Sequence, residues 1–162
     1  MSATIHIFVD GNYLFFSART AGLSQDFAKL EEHILQKFGG PRNAQVGGKF
    51  FYTRPPGGTD PRAVLGWLRV HGWKTYVYNY DTTHQDSLYV SMVADMWFTY
   101  HQDQQQGRED THFVVVSGNR TLIHPLSMFP KAVALVCTPE STNKKLLDLP
   151  QVVTIPLEEM LQ

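Results

Sequence analysis

Thr4-Ile5-His6-Ile7-Phe8-Val9-Asp10-Gly11-Asn12, taken with His112-Phe113-Val114-Val115-Val116-Ser117-Gly118-Asn119, decides the fold. Each stretch is a short β-type run that ends at a glycine-asparagine turn signal. The second is almost unbroken apolar, the pattern of a strand covered on both faces, as strands in parallel sheets are. Outward from these two runs the chain alternates between strand and helix patterns. From Asp26, a helix N-cap, Phe27, Leu30, Ile34, Leu35 and Phe38 recur at helical spacing until Gly39-Gly40-Pro41 stops them. Lys49 to Thr53 predicts a second strand. Asp60-Pro61 predicts a helix start, with Ala63, Val64, Trp67 and Leu68 as the buried stripe. Lys74 to Asn79 predicts a third strand, and a long helix follows from roughly His84 to Gln102. The polar run Gln102 to Asp110 reads as a solvated connector. After Asn119 come a short helix, a strand over Ala132 to Val136, a second short helix near Ser141 to Leu147, and a strand over Val152 to Ile155.

This order predicts a single α/β domain over residues 1–162, a central parallel sheet with helices on both faces. In such sheets the chemistry gathers at the carboxyl ends of the strands. The composition agrees: 162 residues with 43% hydrophobic content can bury a core, and a formal net charge of −1 speaks against broad, charge-driven nucleic-acid binding. The single cysteine, Cys137, excludes an internal disulfide framework and reads as a packed residue. Met1 to Val9 lacks a basic leader region and no apolar run is long enough to span a bilayer, so the expected location is cytoplasmic, away from membranes. Neither a P-loop nor a G-x-G-x-x-G follows the first strand, so no nucleotide cofactor is expected.

Asp10, directly after a buried strand, reads in two ways. It is placed as a ligand for Mg²⁺ or Mn²⁺, or it closes the strand end as an Asx-turn. Asn12 reads in the same two ways, as a site residue or a turn residue. Asp95 on the long helix is a second carboxylate that can converge on a metal for in-line attack on a phosphodiester. Asp86 lies half a helical turn away from Asp95 at about 100° per residue and reads as a cap instead. His84 and Ser91 share a face with Asp95, and Asp81 follows the third strand. Arg54 and Arg120 each follow a strand and are the best placed of the arginines to meet phosphate. Trp67, Trp73, Trp97, Tyr76, Tyr78 and Tyr80 read as core and strand residues before they read as base-stacking ones.

The motifs Ile7-Phe8-Val9-Asp10-Gly11-Asn12-Tyr13-Leu14, Val93-Ala94-Asp95-Met96-Trp97, and Val114-Val115-Val116-Ser117-Gly118 with Pro125-Leu126 resemble, in order, the motifs of NYN domains, a branch of the PIN-like nucleases. The resemblance implies a PIN-like, Rossmannoid fold and a Mg²⁺- or Mn²⁺-dependent endoribonuclease that cleaves RNA, single-stranded or structured. In that reading Asp10 and Asp95 hold the metal, Asn119 joins them in catalysis, and Asn12, Arg54, Ser117 and Arg120 meet the substrate. Two acids of the resembled pattern are replaced, one by Tyr89 and one by Asn119, and the next acidic-aromatic pair is Thr121-Leu122. The alternative is therefore a catalytically inactive PIN-like module that acts by binding RNA or protein, with a homo-oligomer or protein partner left open.

Overall fold

The computed structural model describes residues 2–79 and 86–162. Tyr80, Asp81 and His84 lie outside the described residues. Strand β1 (Ala3–Asp10) is buried at all eight positions because it is central: β2 (Ala44–Thr53) pairs with it on one side and β4 (Thr111–Val116) on the other. With β3 (Lys74–Val77), β5 (Val133–Cys137) and β6 (Val152–Pro156) they form a six-stranded sheet in the order β3-β2-β1-β4-β5-β6. Every pairing is parallel. The chain leaves β1 first toward β2 and later returns on its other side as β4, so the switch point falls between the ends of β1 and β4.

The period of two along β1 divides the core. Ile5, Ile7 and Val9 face helices α1 (Gly11–Thr20), α2 (Phe27–Lys37), α3 (Arg62–Val70) and α7 (Leu157–Leu161). Phe8 faces α4 (Ser87–Gln105), α5 (Ile123–Met128) and α6 (Lys144–Leu147). On that second face the Phe8 ring stacks on Phe50 at 4.8 Å and on Phe113 at 6.1 Å, an aromatic row across β2, β1 and β4. Helices thus cover both faces, as the strand-helix alternation predicts.

Three expectations need correction. The turn signal at Asp10-Gly11-Asn12 is the start of helix α1, whose buried residues Gly11, Leu14 and Ala18 repeat at helical spacing. The buried residues of α3 are Leu65 and Leu68, whereas Ala63, Val64 and Trp67 are exposed. Asp60 accepts from the Arg62 N–H at 3.0 Å and Pro61 precedes the first helical residue. The third correction concerns Gln102 to Asp110. Helix α4 continues to Gln105, and its buried stripe Leu88, Met92, Met96, Thr99 and Asp103 ends in a carboxylate. Asp103 is only 1% exposed because His6 of β1 donates to it at 2.9 Å, with Arg108 beside it at 3.3 Å.

His6 is itself fully used. A register irregularity between Ile5 and Ile7 accompanies Gly47-Gly48, and the Gly48 N–H donates to His6 Nδ1 at 3.0 Å. Nδ1 is therefore an acceptor and Nε2 carries the proton toward Asp103, so the neutral ring satisfies both neighbours. A Cβ on Gly47 would lie 2.6 Å from His6 Cε1, which reserves that position for glycine. Among the described residues no helix is long and apolar enough to cross a membrane.

Burial pushes the His6 pKa below the ordinary 6.5, against the opposing pull of Asp103. The unfolded chain then binds the extra proton first, so the stability His6 contributes is complete above about pH 6.5 and declines as pH falls from there toward its lowered value. Urea unfolding between pH 5 and 8 is expected to show this decline. Asp103→Ala, which leaves the His6 N–H buried without an acceptor, is expected to cost about 1–3 kcal/mol at pH 7.5 in the same assay.

Candidate functional site

Asp10 ends β1 and caps α1. Its backbone is extended, and its Oδ1 accepts from the Tyr13 N–H at 3.1 Å, one of the donors a helix N-terminus leaves open. The helix can begin this abruptly because Gly11 packs on β2: a Cβ there would overlap the Phe51 ring and lie 2.9 Å from the Tyr52 carbonyl oxygen. On the other oxygen, Oδ2, the Ser117 hydroxyl donates at 2.9 Å and the Tyr89 hydroxyl at 2.8 Å. The residue is 0% exposed. Burial raises its pKa, and the bonds from Tyr13, Tyr89, Ser117 and the Asn12 backbone work against that rise. Of the two sequence readings of Asp10, this geometry is that of a cap and an acceptor of hydroxyl protons.

Ser117 and Asn119 belong to the same knot. The Asn119 N–H donates to Ser117 Oγ at 3.2 Å, and Asn119 Oδ1 accepts from the Thr121 N–H at 2.8 Å, capping the single turn Arg120–Leu122. Tyr89, from the first turn of α4, stands where the resembled pattern has an acid. Burial and the neighbouring Asp10 carboxylate push its hydroxyl pKa well up, against the Asn119 side chain and the Arg54 charge. It remains a proton donor.

Asp95 has different partners. The Tyr52 hydroxyl donates to it at 2.6 Å, and the Tyr76 ring stacks on Tyr52 at 5.1 Å. Burial, then Asp95 itself, raises the Tyr52 and Tyr76 hydroxyls. Among the described residues Asp10 and Asp95 share no hydrogen-bond partner. Tyr52 sits opposite Asp10 in the β1–β2 register, yet its hydroxyl serves Asp95. As arranged here, Asp10 presents no open face to a divalent cation: it has no exposed surface, and its oxygens accept from one amide and two hydroxyls.

Asn12 is a strut. Its Nδ2 donates to the Arg54 carbonyl at 2.8 Å and its Oδ1 accepts from the Arg54 N–H at 2.8 Å, with the Thr53 hydroxyl at 3.3 Å. This pair of bonds continues the β1–β2 ladder past its last pair, Asp10–Tyr52, and fixes where Arg54 leaves the sheet. Arg54 and Arg120 then line one polar cleft of about 330 Å³, with Asp86, Tyr89 and Asn119. A second cleft of about 470 Å³ adjoins it across Asn12, Tyr89, Asn119 and Arg120, and is closed on its far side by Phe16 and Asn143. Asn12, Ser117, Asn119, Arg54, Arg120 and Asp10 are thus brought together at the switch point, whereas the partners of Asp95 are the tyrosines of β2 and β3. Sequence reading missed Tyr89 as a positive participant and missed α1, with Phe15 and Phe16 on it. The signal for α1 was the spacing of Leu14 and Ala18 behind an aspartate cap.

Fold and site together define a Rossmann-like α/β domain with a carboxylate buried at its switch point. No family model matches the chain, and no curated protein is significantly similar to it. A crystal structure of a protein of unknown function from Vibrio parahaemolyticus is similar in fold, with a TM-score of 0.70 and 17% identity over 99% of this chain and 97% of that one. At that identity the likeness speaks for the fold alone.

The Asp10 pKa is raised from 3.8, so the folded chain holds its proton to higher pH than the unfolded chain does. Stability due to Asp10 therefore falls as pH rises from about 3.8 through the elevated value, then levels. Asp10→Asn has no such titration, and the stability of the wild type minus that of the variant is expected to fall with pH in urea titrations from pH 4 to 8. Tyr89→Phe is expected to cost about 1.5–3 kcal/mol at neutral pH and less in acid, where Asp10 is protonated and needs the hydroxyl less.

Proposed function

We propose that this chain is a non-catalytic RNA-binding module of PIN-like build, in which a tyrosine and an asparagine occupy places where the resembled nucleases carry acids. One observation carries this reading: the Asp10 carboxylate is wholly enclosed by the Tyr13 N–H and the Ser117 and Tyr89 hydroxyls. A carboxylate compensated by protons in this way does not need a dication, and a dication would have to displace them. What remains at the strand ends is a polar cleft with two arginines and the amides of Asn12 and Asn119. Guanidinium groups suit phosphate oxygens by shape as well as charge. The net charge of −1 keeps the binding local to that cleft. The endoribonuclease reading keeps the presence of Asp10 and Asp95 in its favour, and requires Mg²⁺ or Mn²⁺ to bind between them.

Single-stranded RNA titrated in EDTA and in Mn²⁺ separates the two. Binding is expected in EDTA without any need for metal, with no gain in affinity and no cleavage in Mn²⁺. Its logarithmic salt slope is expected near −1.4, since each phosphate contact on a single strand contributes about −0.7 and two arginines line the cleft. Arg120→Gln is expected to lower that slope by about 0.7. Mn²⁺-dependent cleavage abolished by Asp10→Asn would establish the nuclease instead, and RNA binding indifferent to salt and to Arg120 would leave the cleft without this role.

A further inference from the structure

A third cleft, of about 280 Å³, opens between α1 and α3 on the other side of Asn12. Its walls are the rings of Phe15, Phe16 and Phe51, the faces of Pro55 and Pro56, and Leu65. Phe15 and Phe16 are unusual residues for this helix. Leu14 and Ala18 already bury its core-facing side, so the two rings add nothing to the sheet packing. They are 45% and 55% exposed and meet edge to face at 5.6 Å. Large apolar rings left in water beside a cleft are a binding feature more often than a packing one.

Phe16 walls both this cleft and the one that holds Asn119 and Arg120, and Asn12 lies on the border of all three. An aromatic slot therefore adjoins two guanidinium groups across a rigid strut. The rim of the slot also carries Gln25, Thr53, Thr59 and Asp60, the last paired with Arg62, and these offer donors and acceptors at the edge of a mostly apolar cavity. That combination matches one chemical object: a flat ring with a polar edge, tethered to an anion. A lipid chain has no use for the polar rim. Base–aromatic stacking works on any base, because every base has a π face.

From this juxtaposition we infer that the slot between α1 and α3 takes a nucleobase of the same RNA strand whose phosphate lies at Arg54 and Arg120. The inference rests on the RNA-binding reading above and adds to it where the strand runs: from the carboxyl edge of β4, over Asn12, onto Phe16 and Phe15. It also assigns the binding contribution of the base to α1, which carries no charge-based contact in this arrangement.

The test uses the full chain and three end-labelled probes followed by fluorescence anisotropy: octa-adenylate RNA, octa-uridylate RNA and an abasic ribose-phosphate octamer. The wild type is expected to bind octa-adenylate about 10-fold more tightly than the abasic strand, with octa-uridylate between them. Phe15→Ala/Phe16→Ala is expected to remove that advantage while leaving the abasic affinity and the salt slope unchanged. Both rings are exposed, and an unchanged thermal unfolding curve for the double variant checks that the fold is intact. Equal wild-type affinity for all three probes, with the salt dependence retained, overturns the base slot and leaves the RNA-binding reading standing. Failure of every probe to bind overturns both. A wild type that sediments as a dimer and a double variant that sediments as a monomer, with RNA affinity the same in both, assigns the rings to a second copy of the chain and overturns the slot as well.

Discussion

Asp10 must be satisfied without water, and much of the architecture follows from that. Among the described residues it closes the one strand that is buried from end to end, at the point where the strand order reverses. A bare carboxylate there would cost several kcal/mol in lost solvation. Three elements answer it: the first turn of α1 with the Tyr13 N–H, the end of β4 with the Ser117 hydroxyl, and the first turn of α4 with the Tyr89 hydroxyl. The same carboxylate sits at the positive end of α1, where an anion is favoured. One side chain thereby fixes the meeting of a strand end and two helix starts. At the opposite end of α4, His6 and Asp103 make the second polar attachment between that helix and β1, so the long helix is pinned to β1 at both ends, with apolar packing and the Tyr52–Asp95 bond to β2 between. Apolar packing alone is forgiving about register; two hydrogen-bonded pins are not.

Much of the fold was legible because its strands are buried. Phe113 to Val116 is unbroken apolar and Ile5 to Val9 is interrupted only by His6, and such runs between turn signals point to a parallel sheet. Legibility failed where one residue pattern has two physical meanings. Asp-Gly-Asn is a turn signal and also a helix cap, with glycine for a close approach and asparagine as a strut, and local sequence does not distinguish them. In α3, Trp67 and Val64 look like core, but the sheet is short at that edge and Leu65 with Leu68 already covers it. Asp103 looked solvated because its partner, His6, lies 97 residues away. Burial of a charge is decided by what the fold brings to it, which no local window contains.

The candidate site shows the same division. Strand ends were enough to select Asp10, Asn12, Arg54, Ser117, Asn119 and Arg120, and the switch point brings all six together. What sequence did not disclose is how each is employed. Asn12 spends both ends of its amide on the backbone of Arg54, and Asn119 spends its carbonyl on Thr121. These groups shape the cleft by holding its frame, and Arg54, Arg120, Asp86 and Tyr89 line it beside them. Asp95, from its own motif on α4, is bonded instead by two tyrosines from adjacent strands, Tyr52 and Tyr76.

Tyr89 and Asn119, which stand where the resembled pattern has acids, are coupled through charge. The cleft is lined by Arg54 and Arg120 against Asp86, with Asp10 buried behind it. That balance is near neutral, and Asp10 is further offset by the helix start and the hydroxyls around it. Acids at both 89 and 119 would set four carboxylates against two arginines, a surplus that holds together only around a dication. An acid at 89 alone would lose the hydroxyl that Asp10 relies on and put a like charge in its place. An acid at 119 alone would bring a second carboxylate to the same strand end. With Tyr89 and Asn119 at these positions, the cleft carries two fewer negative charges than it would with acids there, which is what the proposed phosphate contact requires. In the proposed reading such a site would exchange cleavage chemistry for a phosphate contact, and the geometry of the sheet needs no change for either.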